Sequence, residues 1–158
     1  MYRIGFGEDI HRLVKGRRLV LGGIVIPSDL GLLGHSDADV VLHSLSDAIL
    51  GALALGDLGT HFSDADERYH DIDSAIILAE VVGSMRKEGF EIGNVDISIA
   101  LEKPYLAPFI SSMRERIARL LSTAIDEVSI KAMTNERLDA VGRGEACKAT
   151  SVVLLRRR

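Results

Sequence analysis

The amino-acid sequence predicts an α/β (α+β) fold: a mixed β-sheet covered by helices on one face, with a leading β-hairpin. Three observations carry that expectation. A glycine pair, Gly22-Gly23, separates Arg18–Leu21 from Ile24–Pro27 in the pattern of a tight hairpin, where glycine supplies the positive φ angles. Asn94–Leu101, NVDISIAL, alternates with the two-residue period of a half-buried strand. Segments with helical caps and length are interleaved with such strands along the chain.

Taken in order, residues 2–11 form an extended segment with two glycines, and the two-residue spacing of Asp9 and His11 puts both side chains on one face of a strand. After the hairpin, Ser36 or Asp37 is placed to N-cap a helix from Ala38 to Leu55. Gly56 to Asp71, GDLGTHFSDADERYHD, is polar and irregular, a long loop of the kind that binds ligands or closes over them. Asp73 or Ser74 caps a second helix that runs to Glu88 and is closed by Gly89. Beyond the strand at 94–101, Pro104 and Pro108 flank the entry to a third, amphipathic helix from Tyr105 to Leu121. Val128–Met133 and Ala149–Leu155 are the remaining strands.

The totals bound the function. A chain of 158 residues, 47% hydrophobic and 27% charged, is expected to be one globular domain, 1–158. Nineteen basic against 23 acidic residues give a net charge of −4, which provides no field for nucleic acid; Arg156-Arg157-Arg158 is a short solvated end. Cys147 is the single cysteine, which excludes an intramolecular disulfide and a cysteine-built zinc site and fits a cytoplasmic location. No apolar stretch resembles a signal peptide or reaches the roughly 18 residues of a membrane span.

Three places are equipped for chemistry. Asp9 and His11 from a strand end, joined by His43 from a helix, are two imidazoles and a carboxylate, a set that suits zinc and leaves a fourth position open. Asp39, His43 and Asp47 are spaced by four, so a carboxylate one turn away is placed to hold the second nitrogen of His43. The same D-x-H pattern with a distant histidine also occurs as plain structure. At Gly34-His35-Ser36-Asp37, free amides and the positive end of the helix dipole favour an anion, and His35 and Ser36 add donors; simple N-capping uses the same residues. From Lys131 to Glu145, a strand ends in Thr134, Asn135 and Glu136, followed by Gly142-Arg143-Gly144-Glu145 with an opposed charge pair. Such strand-end donors beside an acid suit phosphate and magnesium, or an ordinary capped loop. Asp64 and Asp66 read as turn formers, and His61 and His70 as solvated loop histidines.

Together these pieces resemble one family. R-I-G-x-G-x-D-x-H stands at Arg3–His11 and G-L-x-G-H-S-D-x-D-V-x-x-H at Gly31–His43. Gly56-Asp57-Leu58-Gly59 with Phe62 and Asp64, Gly93–Asp96, Lys131-Ala132 with Thr134 and Glu136, and Gly142–Glu145 follow in order. Through nearly its whole length the chain is similar to the 2-C-methyl-D-erythritol 2,4-cyclodiphosphate synthases of non-mevalonate isoprenoid biosynthesis. The resemblance implies a homotrimer with sites between subunits. It implies conversion of 4-diphosphocytidyl-2-C-methyl-D-erythritol 2-phosphate to the cyclic diphosphate with release of CMP. The substrate's own 2-phosphate attacks the β-phosphorus, so no protein nucleophile is required.

Carried over to this chain, the resemblance implies zinc at Asp9, His11 and His43, and magnesium or manganese at the diphosphate, held by Glu136. It implies transition-state stabilisation by His35 and Thr134, and substrate contacts from Ile10, Ser36, Met133 and Asn135 besides the metal ligands. Asp57, Leu58, Gly59, Phe62, Ser63, Asp64, Ala65 and Asp66 match the loop that holds the sugar. Leu101, Glu102, Lys103, Pro104, Tyr105, Leu106 and Ala107 match the segment forming the cytosine pocket. Arg143 matches an arginine that binds an isoprenoid diphosphate in a central apolar cavity. The chain departs from the family at Ser63, where proline is usual, at Ala140, often aromatic, and at Ala146-Cys147-Lys148, usually G-I-A. With no cytidylyltransferase segment ahead of Met1, the stand-alone form is expected. The rival expectations are a non-catalytic trimeric isoprenoid-diphosphate binder and a zinc hydrolase.

Overall fold

The computed structural model describes residues 1–158. In chain order the strands and helices are β1 (Tyr2–Lys15), β2 (Leu19–Leu21), β3 (Ile24–Ile26), β4 (Leu30–Leu32), α1 (Val40–Ala52), α2 (Leu58–His61), α3 (Ser74–Lys87), β5 (Phe90–Ala100), α4 (Ile110–Leu121), β6 (Val128–Met133), α5 (Asp139–Gly142) and β7 (Ala146–Arg157). Five strands form the main sheet in the order β4-β1-β7-β5-β6. All its pairs are antiparallel except β5–β6, which run parallel, so the sheet is mixed as expected. The β2–β3 hairpin forms as predicted, with Gly22 and Gly23 at φ of 61° and 75°. It does not lead the fold, however: it follows β1 and stands as a separate two-stranded sheet.

One face of the sheet is covered by helices. Helix α1 lies on β1 and β7, α3 packs beside α1 and β5, and α4 packs against β6 and α3. Leu42, Leu45, Ile49, Leu78, Met85, Ile97, Ile99, Val153 and Leu155 join in one continuous core beneath them. Gly5 and Gly7 on β1 explain how α1 comes so close. A Cβ at Gly5 would sit 1.8 Å from the Ala48 carbonyl oxygen, and one at Gly7 would sit 2.0 Å from that of Ser44. The same alternation that turns these glycines inward turns Ile4, Phe6 and Ile10 outward, where with Val152 they leave an exposed apolar strip on the uncovered face.

Several boundaries move. Helix α1 starts at Val40 and ends at Ala52, because Ala38 takes a φ of 58° and Asp39, not Ser36 or Asp37, is the N-cap. Asp39 Oδ1 accepts the Val41 and Leu42 amides at 3.0 and 3.1 Å. Helix α3 starts after the expected Asp73 cap, whose side chain accepts from the Ala75 amide. Tyr105 and Leu106 lie outside α4, which is entered through a 3₁₀ turn at Ala107–Phe109. Strands β1, β5 and β7 outrun their predicted ends, since paired neighbours extend them into glycine-containing or charged residues that alternation alone does not mark. Strand β4 and helices α2 and α5 are additions too short for a periodicity to register.

Candidate active site

Helix α1 and the middle of β1 bring the first site together. The alternation that buries Gly5 and Gly7 puts Asp9 and His11 on the same, helix-facing side, and His43 descends from α1 to meet them. One donor atom from each of the three lies within 4.8 Å of the others. Asp9 Oδ2 is 3.1 Å from Nδ1 of His43 and 3.1 Å from Nδ1 of His11. The His43 contact is a hydrogen bond, whereas His11 Nδ1 is buried and has no hydrogen-bond partner. A buried, unpartnered imidazole nitrogen beside a carboxylate and a second imidazole fits a divalent metal with nitrogen and oxygen ligands. Burial alone would raise the Asp9 carboxyl, but the two histidines close beside it, His43 by a hydrogen bond, hold it below its ordinary range. Burial would lower His43; Asp9 first, then the charges of Asp39 and Asp37, outweigh it and raise it.

These three residues form part of a cleft of about 410 Å³, lined also by His35, Ser36, Leu58, Gly59, Phe62 and Asp64. The loop at 56–71 frames it. Asp57 caps α2 by accepting from Thr60 N at 2.9 Å, and Asp66 pairs with Arg68 at 2.6 Å and caps a 3₁₀ turn. Ser63 and Ala65 are exposed between them, and the Ser63 hydroxyl accepts from the Ala65 amide at 3.2 Å, a bond within the turn. His35 Nε2 reaches the Asp66 carbonyl at 3.4 Å. Of the two histidines expected to be merely solvated, His61 is bonded to the Leu55 carbonyl at 2.7 Å, and the ring of His70 stands edge-on to His35 with centroids 5.0 Å apart.

At the helix start the amides of Asp37, Ala38, Asp39, Val41 and Leu42 are taken by internal acceptors, and one expectation is corrected. Asp39 does not hold the second nitrogen of His43. As N-cap its carboxylate turns back, and it also accepts the Gly22 and Gly23 amides at 3.0 and 2.7 Å, clasping the hairpin turn to α1. The second nitrogen of His43 goes to hydroxyls instead: Nε2 is 2.8 Å from Ser74 Oγ and 3.2 Å from Ser36 Oγ. Asp47, one turn further on, accepts the Leu58 amide at 2.8 Å and ties α1 to the start of α2. Sequence spacing drew attention to Asp39 and Asp47 but not to Ser74, which no motif marks.

The other predicted residues gather at the far edge of the sheet. A second, more apolar cleft is lined by Leu101, Glu102, Pro104, Tyr105, Leu106, Ala107, Met133 and Thr134. Lys103 borders an adjoining groove with Pro27 and Asp29. Beside the second cleft the chain makes a loop in which Glu136, Arg137 and Asp139 all have positive φ, at 52°, 63° and 59°. Glu102 anchors this loop by accepting the Asn135 and Arg137 amides at 3.1 and 3.2 Å. Asn135 donates to Asp139, and Glu136 is exposed. Arg143 is exposed and paired with Glu145 at 3.1 Å, the opposed charge pair read from the sequence. Ile10 points to the uncovered face and lies outside the first cleft. Cys147 is buried, and burial pushes its thiol up to about 12, so it has no nucleophilic role.

The two clefts do not meet within the chain. Asp9 pairs with Ala149, Ala149 with Ile99, and Ile99 with Ala132, so three strand spacings of about 4.8 Å, roughly 14 Å in all, separate the metal donors from β6, which Thr134 follows.

Three metal donors held on a strand and a helix at the wall of a polar cleft are the equipment of a metal-dependent enzyme. Comparison with known proteins narrows the class. A profile described as the YgbB family matches residues 2–156. A protein of Bacillus cereus (strain B4264) named 2-C-methyl-D-erythritol 2,4-cyclodiphosphate synthase is 51% identical over 158 residues, covering 100% of both chains. A Bacillus cytotoxicus protein of the same name is also 51% identical over the full length of both. Among solved structures, the bifunctional IspDF of Campylobacter jejuni superposes with a TM-score of 0.96 at 37% identity, over 100% of this chain and 43% of that one. The CDP complex of Plasmodium falciparum IspF gives 0.87 at 32%, over 99% and 97%. The chain belongs to the YgbB family.

Proposed function

We propose that the chain converts 4-diphosphocytidyl-2-C-methyl-D-erythritol 2-phosphate to 2-C-methyl-D-erythritol 2,4-cyclodiphosphate and CMP. It is a phosphorus–oxygen lyase of isoprenoid biosynthesis, and residues 1–158 act as one synthase domain. The observation that carries this reading is the convergence of Asp9, His11 and His43 in a chain half identical, end to end, to proteins named for that reaction. An oxygen of the 2-phosphate forms a bond to the β-phosphorus as the bond from that phosphorus to the oxygen bridging it to the α-phosphate breaks. The electron pair leaves with CMP. Zinc, when bound by Asp9, His11 and His43, supplies Lewis-acid polarisation of phosphate oxygens. His35, at the cleft wall, and Thr134, at the end of β6, donate to phosphate oxygens on which charge accumulates. Ser36, which lines the same cleft, joins His35 in contacting the substrate. Phe62, Asp64 and the Asp57–Gly59 turn bound the sugar, while the Leu101–Ala107 segment takes the cytosine.

Because the two clefts stand roughly 14 Å apart across one sheet, we place each working site between two copies of a homotrimer, the first cleft of one copy facing the second cleft of its neighbour. The uncovered apolar strip of Ile4, Phe6, Ile10 and Val152 supports that assembly. Glu136 of the neighbouring copy would then hold magnesium or manganese, which would offset charge on the diphosphate. Arg143 is the candidate for an isoprenoid diphosphate in the central cavity, in exchange for its pairing with Glu145. Lys148, at a position where the family is apolar, pairs with Glu8 at 2.9 Å and so brings no unpaired charge to that face. No helix is long and apolar enough to cross a membrane; we place the protein in the cytoplasm.

Incubation of the protein with the diphosphocytidyl substrate, with and without a chelator, tests the reading. The expected products are the cyclic diphosphate and CMP, lost on chelation and lost together with bound zinc in His43→Ala. Linear phosphate products by phosphorus NMR would instead identify a hydrolase.

A further inference from the structure

His43 has one ring nitrogen toward the metal donors and the other toward helix α3. Its Nε2 lies 2.8 Å from the hydroxyl of Ser74, which is fully buried at the first residue of α3. That hydroxyl is also hydrogen-bonded to Asp37 Oδ1 in a very short contact, and the Ser74 amide donates to Asp37 Oδ2 at 3.0 Å. A carboxylate can only accept, and a serine hydroxyl has a single proton. The Ser74 proton therefore goes to Asp37, and Ser74 must accept from His43. Ser36 Oγ, 3.2 Å from the same nitrogen, accepts the Ala38 amide and keeps a second lone pair with which it can share the Nε2 proton. With Nε2–H committed to Ser74, Nδ1 is the nitrogen that faces Asp9 Oδ2, 3.1 Å away, and where a metal replaces the proton of that hydrogen bond the neutral ring offers its lone pair on Nδ1.

We infer that Ser74 and Asp37 form a positioning relay that locks His43 as the Nε2–H tautomer and presents Nδ1 to the metal. Neither residue touches the metal donors of Asp9 or His11; both act through His43. The relay also links the metal centre to α3, because its middle member is the residue that follows the Asp73 cap. A partner that holds the far nitrogen of a ligating histidine orients the ring and raises its basicity.

This inference rests on the metal reading of the site, and its test separates the two. Zinc affinity would be measured by competition with a chromogenic chelator at constant pH, for the full-length protein and for Ser74→Ala and Ser74→Thr. Ser74→Ala is expected to weaken zinc by about 10- to 100-fold, the usual cost of losing such a partner, and Ser74→Thr to recover most of it. Independently of any variant, nitrogen-15 spectra of the zinc-loaded protein should show His43 protonated at Nε2. Unchanged zinc affinity in a folded Ser74→Ala, or a zinc-loaded His43 protonated at Nδ1, would overturn the relay and leave the metal site standing. Failure of the unaltered protein to bind zinc would overturn both.

Discussion

A single carboxylate, that of Asp39, holds together two elements the sequence presents as unrelated. It is fully buried without an ion-pair partner and accepts four backbone amides, two from the hairpin turn and two from the first turn of α1. Removing it in Asp39→Ala leaves buried donors unpaired and deletes a cap, at a cost of about 3 kcal/mol, to be read from urea unfolding. Burial pushes this carboxyl up to about 6, against the amides that favour its charge. A folded-state value above the unfolded one means that stability is fully present below pH 3.8 and is lost as pH rises through about 6. The alanine penalty should therefore be larger near pH 4 than near pH 7.5. Spacing by four did place Asp39 on the His43 side of the helix, yet an N-cap residue lies half outside the helix and its side chain turns back over the first turn. The partnership of His43 with Ser74, 31 residues away, depends on how α3 docks on α1, and nothing local in the chain announces it.

At the level of elements, the close seating of α1 on β1 decides whether the metal donors meet. Gly7→Ala would drive a methyl group into the Ser44 carbonyl and force α1 outward. The expected result is a loss of about 3 kcal/mol in unfolding free energy. Zinc binding should weaken in the fraction that stays folded, because His43 moves with the helix. The two glycines were visible in the sequence, as was the shared face of Asp9 and His11, since a strand's period is two. What stayed hidden was their joint purpose, which needs the partner helix in view. The loop after β6 depends on a different contact. Three residues at positive φ are held there by the Glu102 carboxylate, which the sequence suggested only as a substrate contact. Glu102→Ala should lower turnover by about 10-fold or more through misplacement of Thr134 and Glu136. Its unfolding free energy should change by less than about 1 kcal/mol, because the lost bonds are near the surface. Turnover and urea midpoints measured on the same preparation separate the two effects.

For the whole molecule, the separation of the two clefts and the bare apolar strip lead to one prediction. Phe6→Lys, at a side chain 60% exposed on the uncovered face, should yield monomers by analytical ultracentrifugation. Turnover should fall by at least about 100-fold, while zinc affinity, which needs only one chain, stays intact. A monomeric variant with full turnover would refute shared sites. The fold class and most elements were legible because strands and helices here carry strong caps and clear alternation. The order of strands was not, since β1 pairs with the most distant strand in the chain and the pairing leaves no local mark.

That last pairing also governs how the protein is made. Tyr2 lies opposite Arg156 and Arg12 opposite Ala146, so the strand carrying Asp9 and His11 must wait for residues 146–156 before its central neighbour exists. Contacts between opposite ends of a chain close slowly, and during synthesis they cannot close until the last strand has left the ribosome. Until then β1, with its row of Ile4, Phe6 and Ile10, is an unpaired apolar edge that attracts other strands. The nascent chain therefore carries that unpaired apolar edge until residues 146–156 have emerged to cover it.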